Sequence, residues 1–371
     1  MKFYMPVKVF DEPDCVKAHE KELCSQGRHA LIVTGKHSAF SNGSFDDVSA
    51  VLKKNGVDYD VFSEVEENPS VETVFKARDL YISKGIDHVI GIGGGSPMDA
   101  AKAIALTLAH PDYMPEDLYD SSKDSTALPV VCVPTTCGTG SEVTGVSVLT
   151  RHDKKTKISM VHKVFPVIAL IDGRYLKSAS STLIANSAVD ALSHMYESVL
   201  NSKADDYVRM TASSGLRMWS SIRDCLTGRR EPSDQDRALL MRSSSFAGMS
   251  IAQSGTSLPH ALSYAVTYDL GLAHGRAVGY FLPGFMAAAP EAERNELLHL
   301  SGFSDVSDLS SFISTVFKDL CISEDMLLKT YEAVKNNPAK MSSASFKVDD
   351  VLLHRIVFYD PMTPAPFGTD K

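Results

Sequence analysis

The sequence lacks three features that would each indicate a particular class of protein. Its six cysteines include no C-x-x-C pair, which argues against a zinc knuckle or a disulfide framework and favours reduced thiols. It has no apolar run of about 18 residues and no signal-like start, so we expect a cytoplasmic protein that neither spans nor enters a membrane. It has no excess of positive charge, with 37 basic against 46 acidic residues, which argues against nucleic acid or an anionic membrane as partner.

What the sequence does contain is an ordinary globular composition. Of its 371 residues, 44% are hydrophobic and 22% are charged. These fractions exclude a disordered, collagen-like or coiled-coil chain. The length predicts two domains.

Strand and helix patterns alternate in the first half. Strands are predicted at 29–34, 58–62, 88–92 and 128–133, with helices at 44–56, 70–84 and 97–109. This succession predicts a parallel sheet with helices on both faces. From residue 180 onward the apolar spacing is helical. We therefore divide the chain into an α/β domain, 1–179, and an all-helical domain, 180–371, and expect no regular structure in the tail that begins at 360.

The segment 87–102, DHVIGIGGGSPMDAAK, is the sharpest local signal in the first half. A strand ends at three glycines, Ser96 is the predicted N-cap, Pro97 opens the helix, and Asp99 completes a capping box. Exposed backbone amides at such a helix start bind phosphate. A simple tight turn is the alternative.

A second loop of this kind follows the fourth strand. PTTCGTGSEVT, residues 134–144, offers two glycines and several hydroxyl groups, among them those of Thr135, Thr136, Thr139 and Ser141. Ligands of α/β proteins bind at the carboxyl edge of the sheet, where both loops begin. Two phosphate-friendly loops predict a dinucleotide.

The helical half contains candidate metal ligands. Asp190 and His194 are four residues apart, so they share one helix face. His260 and His274 lie in segments with proline or glycine nearby. One carboxylate and three imidazoles suit a divalent ion such as Fe(II) or Zn(II). From spacing alone, the alternative interpretation remains open that Asp190 and His194 are a surface pair and that His260 and His274 are isolated histidines.

Taken together, these segments resemble the iron-containing (group III) alcohol dehydrogenases, and the likeness covers nearly the whole chain. The segments that carry it, in the family's order, are GGGSPMDAAKAIA, VPTTCGTGSEVT, AVDALSHMYES, LPHALSY and LAHGRAVG. Among the members, it is most similar to 1,3-propanediol and butanol dehydrogenases.

The resemblance implies a Rossmann-like dinucleotide-binding domain, an all-α metal-binding domain as in the dehydroquinate synthase-like fold, and an active site in the cleft between them. It implies NAD(P)-dependent oxidation of a short primary alcohol or diol, or reduction of the aldehyde, by a homodimer or larger homo-oligomer. The implied metal ligands are Asp190, His194, His260 and His274. The implied coenzyme contacts are Asn68, Gly94, Gly95, Ser96, Asp99, Thr135, Thr136, Thr139 and Lys157, to which the loop hydroxyl of Ser141 is added.

Two positions depart from the family pattern. After the first predicted strand, many NAD-preferring relatives carry an aspartate that binds the adenosine ribose, where this chain has Gly35 followed by Lys36. Gly35 removes the acid and Lys36 adds a base, so the repulsion of a 2′-phosphate is relieved, and we expect NADP to be preferred over NAD. The alternative is that Gly35 is simply a turn residue. Tyr264 replaces a histidine found near the nicotinamide in many relatives, and its phenol is a candidate hydrogen-bond donor.

Two other functions stay open from the sequence. One is a related enzyme of the same fold, similar to glycerol dehydrogenase or dehydroquinate synthase. The other is a catalytically silent nucleotide-binding protein, against which the presence of all four candidate ligands argues.

Overall fold

The computed structural model describes residues 3–363, so residues 364–371 of the tail lie outside the described part. Its contacts divide the chain into two compact units. One comprises Tyr4–Ala179 together with Asp234–Gly248. The other comprises Ser180–Ser233, the described residues from Met249 onward, and Phe3.

The first unit is an α/β unit in which strands and helices alternate. Its strands and α-helices are β1 (Lys8–Asp11), α1 (Cys15–Ala18), α2 (Glu20–Cys24), β2 (His29–Thr34), α3 (Ser38–Ser41), α4 (Ser44–Lys54), β3 (Asp58–Phe62), α5 (Val71–Tyr81), β4 (His88–Gly93), α6 (Gly95–Ala109), β5 (Val130–Pro134), β6 (Val148–Arg151), β7 (Thr156–Ser159) and β8 (Ile168–Ile171).

Six of these strands form one parallel sheet in the order β1-β8-β5-β4-β2-β3. This confirms the predicted parallel α/β fold. Gly93 at the end of β4 pairs with Pro134 at the end of β5. Because neighbouring parallel strands end at one edge, the loops that follow β4 and β5 start side by side.

The sheet is buried on both faces, which explains why its strands are continuous apolar runs. Along β2, Leu31 and Val33 pack in one hydrophobic cluster, and Ala30 and Ile32 pack in another. This alternation follows from the two-residue period of a strand. Four strands were not predicted: β1, β8 and the antiparallel pair β6–β7.

The second unit is helical, as the spacing predicted. Its helices are α7 (Ser181–Val199), α8 (Asp206–Ser221), α9 (Arg223–Leu226), the C-terminal end of α10 (Asp234–Ser254), α11 (Leu258–Leu270), α12 (His274–Ala288), α13 (Glu291–Leu300), α14 (Val306–Val316), α15 (Glu324–Lys335), α16 (Pro338–Met341) and α17 (Asp350–Val357). Within residues 3–363, no helix is both long enough and apolar enough to cross a bilayer.

The first part of α10, up to Gly248, groups with the α/β unit. A Cβ atom on Gly140 would lie 2.5 Å from the Cα atom of Gly248, so the loop after β5 and this helix meet backbone to backbone. Ser245 Oγ also donates a hydrogen bond to Glu142 Oε1 over 2.6 Å. The loop after β5 is therefore packed tightly against the first part of α10.

Candidate metal centre and nucleotide-binding loops

Helix α7 presents three acidic or imidazole side chains on one face. It begins after Ser180, whose hydroxyl accepts a hydrogen bond from the backbone N–H of Leu183 over 3.2 Å. Asp190, His194 and Glu197 follow at intervals of four and three residues, which place them on one side of the helix. All three are buried.

His260 and His274 enter the same region from the starts of two further helices. His260 is the third residue of α11, and His274 is the first residue of α12. The residue after His274 must be small, because a Cβ atom on Gly275 would lie 1.9 Å from the carbonyl oxygen of Asn186 in α7. Glycine thus lets the start of α12 approach α7 closely.

The four side chains converge on one carboxylate oxygen. Asp190 Oδ1 lies 3.4 Å from Nε2 of His260, 3.7 Å from Nε2 of His274 and 4.0 Å from Nε2 of His194. The ligand atoms of Asp190, His260 and His274 all lie within 4.8 Å of one another. Ligands held about 2.0–2.2 Å from a single ion are themselves about 3–4 Å apart, so the spacing fits one cation.

Two atoms of this cluster have hydrogen-bonding capacity that the protein does not use. Asp190 Oδ1 and His260 Nε2 are buried and have no hydrogen-bond partner among the described residues. Buried polar atoms are nearly always satisfied in folded proteins. A metal ion bound by both atoms would satisfy them, so the donor set fits a divalent ion.

Glu197 holds the opposite edge of the His260 ring. Its Oε1 lies 2.5 Å from His260 Nδ1 and accepts a hydrogen bond from Ser193 Oγ over 2.5 Å. Its Oε2 accepts the backbone N–H of Ser257 over 2.6 Å. A carboxylate at Nδ1 favours a proton on that nitrogen, so Nε2, which faces Asp190, would be the nitrogen that binds a metal ion. Sequence reasoning missed Glu197, although its spacing from His194 was a usable signal.

The cluster shifts the acidity of its members. Burial would raise the pKa of Asp190, but the neighbouring imidazoles outweigh burial and lower it. Burial would lower the pKa of His260, but the charges of Glu197 and Asp190 raise it to about 9. The surroundings of His260 therefore favour positive charge, which a metal cation would supply in place of a proton.

Tyr264 lies beside this cluster. Its ring stacks on that of His274 with 6.4 Å between centroids and 19° between planes. Burial, with the charges of Glu197 and Asp190, raises the pKa of Tyr264 to about 12. The phenol therefore keeps its proton at neutral pH.

In the α/β unit, the two predicted loops pack against each other. A Cβ atom on Gly94 would lie 3.0 Å from Thr136 Oγ1, and one on Gly95 would lie 2.7 Å from Thr139 Cγ2. The backbone N–H of Thr135 donates to the carbonyl of Gly93 over 2.8 Å. The structure thus brings together the glycines and threonines expected to contact a nucleotide.

The predicted helix start in the first loop was wrong by two residues. Helix α6 begins at Gly95, and its N-cap is Gly94 rather than Ser96. Ser96 Oγ instead accepts the backbone N–H of Asn68 over 3.0 Å. Because the N-cap is a glycine, no cap side chain accepts a hydrogen bond from the first backbone N–H groups of α6.

Asp99 does not form the expected capping box. Its carboxylate accepts hydrogen bonds from Ser141 Oγ over 2.5 Å and from the Val148 backbone N–H over 2.9 Å. Ser141 Oγ also accepts from Lys102 Nζ over 2.6 Å, and Lys102 is fully buried. These bonds tie the second loop to the first turns of α6. Lys102 lies inside the glycine-rich motif but was not singled out.

The remaining expected coenzyme residues lie near the same edge of the sheet. Asn68 Oδ1 accepts a hydrogen bond from Lys157 Nζ over 3.0 Å, and Lys157 is largely buried. Gly35 follows directly after β2, where an added Cβ atom would meet only the carbonyl oxygen of Val65, at 3.4 Å. The next residue, Lys36, is exposed.

Comparison with known proteins identifies the family. Residues 6–173 match the family described as iron-containing alcohol dehydrogenase, and residues 184–320 match the C-terminal part of the Fe-containing alcohol dehydrogenase family. The chain is similar to the structure of an iron-containing alcohol dehydrogenase from Thermotoga maritima, with 35% identity, a TM-score of 0.88, and coverage of 96% of this chain and 98% of that one.

Two curated relatives are more distant. Aldehyde-alcohol dehydrogenase 2 of Entamoeba histolytica is 30% identical over 298 residues, which are 76% of this chain but 33% of that protein, so the chain spans about a third of its length. The NADPH-dependent butanol dehydrogenase of Clostridium saccharobutylicum is 29% identical over 266 residues, covering 70% of this chain and 67% of that protein. The chain belongs to the iron-containing alcohol dehydrogenase family and is an oxidoreductase.

Proposed function

We propose that this protein is an iron-dependent, NADP-preferring dehydrogenase of short primary alcohols and diols that also reduces the corresponding aldehydes. The observation that carries the proposal is the convergence of three imidazole Nε2 atoms on Asp190 Oδ1, at 3.4–4.0 Å. Family membership indicates the reaction class, and the cluster of Asp190 with three histidines indicates that a divalent metal ion takes part.

The proposed metal ligands are Asp190, His194, His260 and His274. One carboxylate and three neutral imidazoles suit Fe(II), and the same donors accept Zn(II). The ion, when bound, supplies Lewis-acid polarisation of the substrate oxygen. Because Asp190 is the anionic member of the set, it lowers the net charge of the filled site and thereby tunes its acidity.

Two further residues support the reaction from this chain. Glu197 fixes the orientation and the tautomer of His260 through the 2.5 Å contact with Nδ1. Tyr264, whose ring stacks on that of His274, would donate a hydrogen bond from its phenol to a substrate oxygen. Neither role requires the histidine that many relatives carry at position 264.

The proposed coenzyme site is the edge of the sheet after β2, β4 and β5. The amides of Gly94, Gly95 and Ser96 at the start of α6 would bind the pyrophosphate, because a helix N-terminus attracts anions. The Thr135–Thr139 loop packs directly beside them. Asn68 and Lys157 form a bonded pair and would contact the coenzyme farther along this edge.

The preference for NADP rests on residues 35 and 36 of this chain. Gly35 carries no carboxylate that would repel a 2′-phosphate, and Lys36 brings an exposed cation next to it. A phosphate beside a lysine gains a charge-assisted contact, whereas the 2′-hydroxyl of NAD gains little. We also propose a homodimer or larger homo-oligomer, as is usual for the family, which sedimentation of the purified protein would test.

The test is a panel of C2–C6 alcohols, diols and aldehydes assayed with NADP and NAD after anaerobic loading with Fe(II) or Zn(II). We expect net formation of NADPH from primary alcohols. A lyase similar to dehydroquinate synthase would regenerate its coenzyme and give no net NADPH, and a silent nucleotide-binding protein would retain no divalent ion. Either result would contradict the proposal.

A further inference from the structure

A lysine lies one aromatic ring away from the histidine cluster. Lys340 is in the short helix α16, and its Nζ atom lies 5.7 Å from the centroid of the Tyr264 ring. The Tyr264 ring stacks in turn on His274. A cation on the face of a tyrosine ring is attracted by the ring's electron-rich surface. Lys340 and His274 therefore both lie against the same tyrosine ring.

The backbone around Lys340 is anchored by several hydrogen bonds. Asn337 Oδ1 accepts the backbone N–H of Lys340 over 3.2 Å, and Ser343 Oγ donates to the Lys340 carbonyl over 2.7 Å. The N–H of Ser345 donates to the carbonyl of Leu200, just after α7, over 2.7 Å. The segment that follows Lys340 is therefore bonded to the residue that follows α7, the helix that carries Asp190.

No carboxylate of the described residues neutralises this ammonium group. Lys340 Nζ makes neither a hydrogen bond nor an ion pair within residues 3–363, whereas the exposed Lys329 pairs with Asp269 at 2.7 Å. Burial lowers the pKa of Lys340, and the charge of Glu197 opposes this shift.

The charge of Glu197 acts on Lys340 from a distance, but the two side chains form no ion pair among the described residues, and both oxygens of Glu197 are bonded to other groups. Oε1 contacts His260 Nδ1 and accepts from Ser193, and Oε2 accepts the N–H of Ser257. A half-buried ammonium group without a counter-ion is unfavourable, and an anion from solution would relieve it. The feature is therefore better suited to binding a ligand than to stabilising the fold.

We propose that Lys340 binds a carboxylate at the far end of the substrate, so that the preferred substrates are short aldehydes and alcohols that carry a terminal carboxylate. The inference rests on the proposed function, because it requires the reacting oxygen to lie at the histidine cluster. In the aldehyde direction, hydride passes from reduced nicotinamide to the carbonyl carbon and a proton passes to the carbonyl oxygen. The products are a hydroxy acid and oxidised coenzyme, and the carboxylate itself is unchanged.

The experiment compares aldehydes of equal length with and without the carboxylate, in the Fe(II)-loaded enzyme with NADPH. The pairs are glyoxylate with acetaldehyde, succinic semialdehyde with butanal, and 5-oxopentanoate with pentanal. We expect the acid to have the higher kcat/KM in at least one pair, by about 10- to 100-fold, which is the effect of one charge-assisted contact. The best pair also reports the distance between the two binding points.

Three variants test the residue. Lys340→Met should remove the preference mainly through a higher KM for the acid and leave the neutral aldehyde within about threefold of wild type, because a remote contact contributes to binding and not to the chemical step. Lys340→Arg should retain part of the preference. Lys329→Met, which removes an exposed charge from α15, is the matched control and should leave kcat/KM unchanged for both the acid and the neutral aldehyde. In calorimetric titrations without coenzyme, 4-hydroxybutyrate should bind Lys340→Met more weakly than wild type and should bind Lys329→Met as tightly as wild type.

Three outcomes separate this inference from the function on which it rests. Turnover of the neutral aldehydes with no preference for any acid would overturn the role of Lys340 and leave the dehydrogenase intact. Equal losses for acid and neutral substrates in Lys340→Met would also overturn it, because they indicate a structural role. Failure of all six aldehydes in the loaded wild-type enzyme would instead contradict the proposed function.

Discussion

Glu197 Oε1 lies 2.5 Å from Nδ1 of His260, inside the helical unit and out of contact with solvent. The contact joins a residue of α7 to one near the start of α11, 63 positions later in the chain. A carboxylate at Nδ1 favours a proton on that nitrogen, which would leave Nε2 as the nitrogen for the proposed metal ion.

The first prediction concerns this contact. Glu197→Gln removes the charge but keeps the size, so the His260 ring loses its electrostatic partner while the fold is retained. We expect affinity for Fe(II) or Zn(II) to fall about 10- to 100-fold, the usual effect of losing an outer partner of a ligand. Competition with a chelator measures the change. Glu332→Gln, which alters an exposed residue of α15, is the control, and an unchanged affinity in Glu197→Gln would contradict the assigned role.

The second prediction concerns the ligand set. His274→Ala and His260→Ala should each lose the bound divalent ion and abolish turnover, because each substitution removes one of the four proposed ligands and leaves a gap in the position that its ring occupied. Metal analysis after gel filtration and an alcohol oxidation assay report the two effects separately. His299→Ala removes an exposed histidine from α13 and should retain both. Full activity of a metal-free His274→Ala protein would refute the metal site.

The third prediction concerns coenzyme choice. Gly35→Asp introduces a carboxylate after β2, where an added Cβ atom has room. We expect the ratio of kcat/KM for NADP to that for NAD to fall at least about tenfold, since the carboxylate repels the 2′-phosphate and accepts a hydrogen bond from the 2′-hydroxyl.

Ser25→Asp adds the same charge at an exposed position before β2, at the opposite end of that strand, and should leave the ratio unchanged. If wild type already favours NAD and Gly35→Asp does not move the ratio, Gly35 is only a turn residue.

The fourth prediction concerns the packing that brings His274 to α7. Gly275→Ala places a methyl group where the Asn186 carbonyl lies, so α12 must shift. We expect a loss of about 1–3 kcal/mol in the free energy of unfolding, together with weaker metal binding.

Gly271→Ala provides the comparison, because that residue has a φ of 64° and no atom within 4 Å of the added methyl group. It should cost about 1 kcal/mol through backbone strain alone and leave metal affinity unchanged. Equal metal affinity in the two variants would show that close packing at Gly275 does not position His274.

Much of the α/β unit could be predicted because its signals are local. The strand at 29–34 and the helix that follows the glycines depend on short apolar runs and on glycine at a turn, which act over a few residues. The strands β6 and β7 were missed because each has only four residues, too few to show a clear period of two. The helix start at Gly95 rather than after Ser96 was missed because Ser96 Oγ bonds to Asn68, 28 residues earlier.

The order of the elements, the shared face of Asp190 and His194 and the likeness to a family follow from the amino-acid order alone, because they depend on periodicity and on motifs of adjacent residues. Three relationships became visible only in the folded chain: His260 and His274 reach the same carboxylate oxygen, Glu197 contacts His260, and Lys340 lies on the ring of Tyr264. Such contacts join residues far apart in the chain. They form only when burial of many apolar side chains brings whole helices together, and no local pattern encodes that approach.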